Sequence, residues 1–117
     1  MKVLCHHIYE YKKGLRNLVL HTMQASLKEE ALCKLNSNKI SYFVQEVTPQ
    51  KINIFFGAAD CIDIIKHFNK SKLSDFSPEQ DFILGIMLGY GRLQQCKRYL
   101  EREGKLLSVR NREAVEV

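Results

Sequence analysis

Apolar and polar positions along the chain change period several times, and each change marks an element. Over residues 2–13, Val3, Leu4, His7, Ile8 and Tyr11 fall on one face of a helix, and Gly14 stands where a left-handed residue ends it. From Leu15 to Met23 that spacing breaks. The Leu18-Val19-Leu20 run is short and stops at Thr22, which predicts a buried strand at about 17–22. Ser26 and Glu29 have the spacing of a capping box. They open a helix with Leu27, Ala31, Leu32 and Leu35 as its apolar positions, stopped by Asn36-Ser37-Asn38. Residues 40–47 (ISYFVQEV) alternate as a strand does, with Ile40, Tyr42 and Val44 on one side and Phe43 and Val47 on the other. Thr48-Pro49-Gln50-Lys51 reads as a turn, and 51–57 (KINIFFG) as the returning strand. Asp60 is placed to cap a helix carrying Ile62, Ile65 and Phe68, and residues 72–76 form a short connector.

The strongest signal runs from Ser77 to Gly104. Ser77 is a good N-cap, Pro78 suits the first helical position, and Gln80 completes a capping box. Phe82, Ile86, Gly89, Leu93, Cys96 and Leu100 then recur by four and three on one face, and Gly104 supplies the stop. One helix of this length runs ~39 Å at ~1.5 Å per residue. A compact domain of this size has a radius of gyration of only ~13 Å, so such a helix spans or overhangs the body.

The predicted order is an N-terminal helix, then β-α-β-β-α, then one long C-terminal helix: an α+β fold. The third strand fits between the other two, giving a small three-stranded mixed sheet with a right-handed crossover. Leu18, Leu20, Tyr42, Val44, Ile52, Ile54 and Phe56 are assigned to the face under the two following helices. The opposite face, with Val19, Phe43, Phe55, His21, Gln45 and Asn53, needs a cover: the first helix, the long helix or a second chain. Residues 1–104 form a single domain and the charge-rich 105–117 a mobile tail.

Composition narrows the function classes. With 117 residues, 45% hydrophobic and 26% charged, the chain can build its own core. The net charge of +5 is only mildly basic. Residues 1–14 hold no apolar signal core, and the longest apolar run, Phe82 to Tyr90, is too short for a bilayer. Cys5, Cys33, Cys61 and Cys96 are widely spaced, with no CxxC pair. The expectation is a cytoplasmic protein with reduced thiols, no membrane segment and no cofactor.

The candidate chemistry is sparse. His7 and His21, with Cys5 nearby in sequence, are the candidates for a small-ligand or metal site, but no pair has zinc-ligand spacing. His6 and His7 point about 100° apart on a helix. The single glycine of Gly57-Ala58-Ala59-Asp60 is an ordinary capped turn rather than a phosphate loop, and Asp60 and Asp63 repel an anion there. Cys96 shares the apolar stripe of the last helix and reads as a buried, inert thiol. Arg92, Lys97, Arg98, Arg102, Lys105, Arg110 and Arg112 are diluted by glutamates and interleaved with one aromatic, Tyr99. That disfavours nucleic acid and reads first as a solvated helix face with i,i+4 pairs such as Glu101–Lys105, with a docking face for an acidic protein as the sharper alternative. Gly85 and Gly89 open a notch for a close approach, either within the chain or at a dimer seam. No acid–base pair or activated nucleophile supports an enzyme, and no catalytic residue is assigned.

HHIYEYKKGLRNLVLHT, KINIFFG and SPEQDFILGIMLGYGRLQQCKRYL together resemble a family of short bacterial proteins, domain of unknown function number two thousand and twenty-three. The resemblance covers nearly all of the chain except the tail. It implies three strands and five helices in a homodimer, and relatives encoded beside flavodoxins imply an acidic redox partner. It carries no catalytic residue with it. The resulting expectation is a non-enzymatic homodimeric interaction module, with interface candidates Phe43, Phe55, Gly85, Gly89, Tyr90 and Arg92. The alternatives are a ligand- or metal-binding regulator at His7 and His21, and nucleic-acid binding by the last helix.

Overall fold

The strand KINIFFG, β3 (Lys51–Gly57), forms the centre of a three-stranded sheet. Its neighbours are β1 (Leu18–Gln24) and β2 (Ser41–Thr48). The computed structural model describes the backbone of residues 1–115 and the side chains through residue 104. β3 pairs antiparallel with both neighbours, Val19 opposite Phe56 on one side and Phe43 opposite Phe55 on the other. The inserted third strand is therefore present, but the sheet is antiparallel throughout rather than mixed. β1 and β2 point the same way and never touch, because β3 separates them.

Helices cover both faces. On one, Leu4 and Ile8 of α1 (Lys2–Lys12) and Ala31 and Leu35 of α2 (Lys28–Ser37) pack on Val19, Ile52, Ile54 and Phe56. On the other, Ile62 and Ile65 of α3 (Ala59–Phe68) and Leu84 of α4 (Pro78–Met87) pack with Leu88 and Phe76 on Leu18 and Phe55. Leu18 and Leu20 were expected beside Ile52 and Ile54, and Val19 beside Phe55. The phase is the reverse. Three successive apolar residues carry no phase of their own, and pairing with β3 sets it: Val19 shares a face with Phe56, and Leu20 with Phe55.

Helix ends follow local chemistry. Ser77 Oγ accepts from Gln80 N at 3.1 Å while Ser77 N donates to Gln80 Oε1 at 3.0 Å, so the capping box that opens α4 is complete. The box expected at Ser26 does not form. A 3₁₀ turn, Ala25–Leu27, precedes α2, and Leu27 sits at its N-cap without a side-chain bond. Asp60 likewise does not cap α3, whose N-cap is Ala58; it lies in the first turn, where a carboxylate complements the helix dipole. Gly14 ends α1 at φ +77, with Gly14 N donating to Tyr11 O and Leu15 N to Glu10 O.

The long helix is two helices. α4 closes in the same paired pattern: Gly89 at φ +84 donates to Ile86 O, and Tyr90 N donates to Gly85 O. The chain then reverses into α5 (Arg92–Val115), whose first turn is held by Gln95 N on Gly91 O. Two glycines around one residue make the reversal cheaper than an unbroken helix carrying both inside, each of which costs ~1 kcal/mol against Ala. The helical backbone continues through 105–115, where a tail was expected. The side chains of that stretch and residues 116–117 lie outside the described residues.

Gly57 is the tightest backbone position. It has φ +147, and a Cβ there would strike the carbonyl oxygen of Asn17 and lie 3.0 Å from Leu18 Cα. Gly57→Ala should cost about 3 kcal/mol in urea unfolding, whereas Gly89→Ala, with nothing within 4 Å of its Cβ, should cost only the ~1–2 kcal/mol of a left-handed alanine. Equal losses at the two positions would show that the Asn17 contact carries no weight.

Candidate functional site

α4 and α5 fold against each other as an antiparallel hairpin, and a carboxylate sits at its centre. Asp81 on α4 accepts two bonds from Arg98 on α5, Nε at 2.7 Å and Nη2 at 3.1 Å, and Arg102 Nη1 lies 3.4 Å away. The paired geometry suits a guanidinium and a carboxylate. The Arg98 bonds hold the Asp81 carboxyl below the usual carboxylate range against the opposing effect of its partial burial, and Arg102 adds to the lowering. Arg102 also donates to Phe76 O at 3.0 Å, and the Phe82 and Tyr99 rings meet at 5.8 Å.

Gly85 explains how closely the two helices approach. Any Cβ at Gly85 would collide with the side-chain amide of Gln95, which is buried in the notch. The Gly85 notch is thus filled from within the chain. Gly89 belongs to the turn. Tyr90 and Arg92 are exposed beside it. Phe55 is fully buried under α3 and α4, and Phe43, 6.3 Å from it between ring centroids, is half-buried on the same face. The cover that this face needs comes from α3 and the first half of the expected long helix. Cys96, expected in the core, is exposed, because the chain reversal turns the stripe Leu93, Cys96, Leu100 outward.

The reversal also leaves a groove of about 910 Å³. Leu20 of β1, Leu73, Leu84 and Leu88 supply its apolar residues, and Gln94, Lys97 and Glu101 of α5 supply a polar wall. The sequence could not place this groove, since its lining depends on where α5 turns back. The same face ends in a polar row: Thr22 Oγ1 donates to Asn53 Oδ1 at 2.6 Å, and buried Gln45 donates from Nε2 to Lys70 O at 3.0 Å.

His7 and His21 do come together, with ring centroids 5.5 Å apart and planes at 67°. Around them stand Glu10, whose Oε1 is 3.2 Å from His7 Nδ1, and Arg16, whose Nη1 is 3.3 Å from the same nitrogen. His6 Nε2 is 3.7 Å from Glu10. Arg16 places a permanent positive charge where a cation would have to bind. Among the described residues, no group of three or more His, Cys, Asp or Glu side chains is arranged to hold a metal ion.

Burial, followed by the charge of His7, lowers the His21 pKa below its ordinary value. The folded protein therefore favours neutral His21. Its contribution to stability is complete above the unfolded value of ~6.5 and is lost as pH falls through the lower folded value. Unfolding free energy measured between pH 7.5 and 4.5 should fall more steeply for the native chain than for His21→Gln; parallel curves would show that His21 is not the proton-linked group.

The family model "Protein of unknown function (DUF2023)" matches residues 2–102, which spans both helix layers, the sheet and the hairpin up to Arg102. No curated protein matches the chain. A family match over nearly nine-tenths of the sequence, from α1 through the paired part of α5, places this chain in the DUF2023 family.

Proposed function

We propose that this protein is a cytoplasmic, non-enzymatic homodimer that serves as a protein-interaction module, paired through the outer face of the α4–α5 hairpin, with an acidic protein as its second partner. The observation that carries the dimer is the set of exposed apolar side chains on α4 and α5. Leu93 is 72% exposed, Leu100 61%, Ile83 39% and Ile86 38%, with exposed Cys96 between the two leucines. Contiguous exposed apolar surface marks interaction sites on soluble proteins.

The magnitudes fit a reversible dimer. The exposed portions of those four aliphatic side chains together equal about two whole ones, worth ~3–6 kcal/mol per protomer and twice that across a two-fold axis. Association costs roughly 4–15 kcal/mol, so the largest surplus these figures allow, about 8 kcal/mol, corresponds to micromolar pairing, and a permanent dimer is not expected. Of the earlier interface candidates, Tyr90 and Arg92 are exposed at the turn between α4 and α5, and Tyr90 lines the groove. Phe43, Phe55 and Gly85 serve the chain's own packing. Among the described residues no helix is long and apolar enough to cross a membrane. Asp81 engages Arg98 and Arg102, which draws two of the basic residues of α5 away from any phosphate backbone.

Sedimentation velocity at tens of micromolar should give a dimer for the native chain and a monomer with unchanged circular dichroism for Leu93→Glu combined with Leu100→Glu. A native monomer at every concentration, or a dimer that survives both changes, would remove the outer face from consideration.

A further inference from the structure

The two outer strands of the sheet are protected very differently. β2 carries a register shift between Glu46 and Thr48, a charged residue at that irregularity, and Gln45 bonded to the Lys70 carbonyl. Such a bulge and charge block further strand pairing. β1 has none of these. Its seven residues, LVLHTMQ, include no Lys, Arg, Asp, Glu or Pro, and its ladder with β3 runs from Leu18 to Gln24 without a shift.

The register shows which backbone groups of β1 are free. Ala58 N donates to Asn17 O and Ala25 N donates to Gln50 O, so the odd-numbered residues of this stretch bond inward to β3. Antiparallel ladders alternate, and the even-numbered residues therefore point their N–H and C=O groups away from the sheet. Among the described residues, Leu20, Thr22 and Gln24 have no backbone partner on that side. Leu20 also lines the groove, and α5 forms the opposite wall with Gln94, Lys97 and Glu101. The open edge and the groove are adjacent.

We infer that the free edge of β1 receives an extended acidic segment of a partner protein, added as a fourth strand with alternate side chains laid along the groove between β1 and α5. Backbone pairing to Leu20, Thr22 and Gln24 supplies the affinity, and the apolar residues Leu20, Leu73 and Leu88 take the inward side chains. Charge selects the occupant. Three cations, Lys97, Arg98 and Arg102, face two carboxylates, Asp81 and Glu101, along the groove; with both arginines engaged by Asp81, the surplus is a single positive charge and Lys97 is the cation that meets the occupant. The chain as a whole carries +5, which favours an acidic segment over a second copy of this chain. The inference rests on the partner half of the proposed function and is independent of the dimer, whose surface lies on the other side of the hairpin.

The test uses the full chain, isotopically labelled, and two capped seven-residue peptides, one alternating Val with Glu and one alternating Val with Lys. The glutamate peptide should shift the amide resonances of Leu20, Thr22 and Gln24 together with those around Lys97, and bind at least about tenfold more tightly than the lysine peptide. Gln24→Pro, which removes one outward N–H at the exposed end of the strand, should weaken it several-fold. Lys97→Glu should reverse the preference. The double variant Leu93→Glu with Leu100→Glu should leave peptide binding unchanged, so a failed dimer and a failed edge are distinguished. Equal binding of both peptides, shifts confined to the outer face of the hairpin, or slow amide exchange at Leu20, Thr22 and Gln24 in the peptide-free protein would overturn the inference. The last result would mean that a second copy already occupies the edge.

Discussion

The double burial of β3 constrains everything else. Every residue from Ile52 to Phe56 is buried, and alternate side chains point to opposite faces. Full burial of Phe55 on one side and Phe56 on the other contributes ~1.5–3 kcal/mol each, and gaining both requires helical cover on both faces. One helix pair, α1 with α2, satisfies the first face. The second falls to α3, α4 and the segment around Phe76. The three-layer arrangement therefore follows from a strand that has no solvent-facing side from Ile52 to Phe56.

The same constraint explains why the C-terminal region is a hairpin. α4 is committed to the sheet through Leu84 and Leu88, so a straight continuation would leave the sheet and bury nothing further. Reversal at Gly89 returns α5 along α4, where Gln95 enters the Gly85 notch and Arg98 reaches Asp81. These contacts are polar and specific. They fix the position of α5 without using its leucines, which is why Leu93 and Leu100 remain outside. One notch and one shared carboxylate thus set both the outer apolar surface and the inner groove.

Much of the fold was legible in the residues. KINIFFG marked the bounds of β3, because a short apolar run rich in β-branched and aromatic residues ended at a glycine before a helix. Ser77, Pro78 and Gln80 located the start of α4, and Gly14 the end of α1. What failed was relational. The Leu18-Val19-Leu20 run could be strand in either phase, and only its partner could decide. Gly89-Tyr90-Gly91 was absorbed into a helix because the apolar spacing happened to continue across it; two glycines within three residues were the signal against that reading. His7 and His21 lie with their ring centroids 5.5 Å apart, a proximity that their separation in sequence does not reveal. The groove could not be read, because its walls meet only after the chain has turned back. The fate of Cys96 was hidden for the same reason.

The position of β3 between its neighbours also dictates an order of events in synthesis. β1 and β2 are made first, yet neither pairs with the other. A growing chain that has reached Thr48 owns two strands and no sheet. Only after Gly57 has emerged can the short β2–β3 hairpin close, a local step, followed by capture of β1 across a loop of more than two dozen residues. Until then the Leu18-Val19-Leu20 run is an exposed apolar segment in search of a partner. α1 and α2 can form early, but they dock only when the last strand supplies the surface they cover.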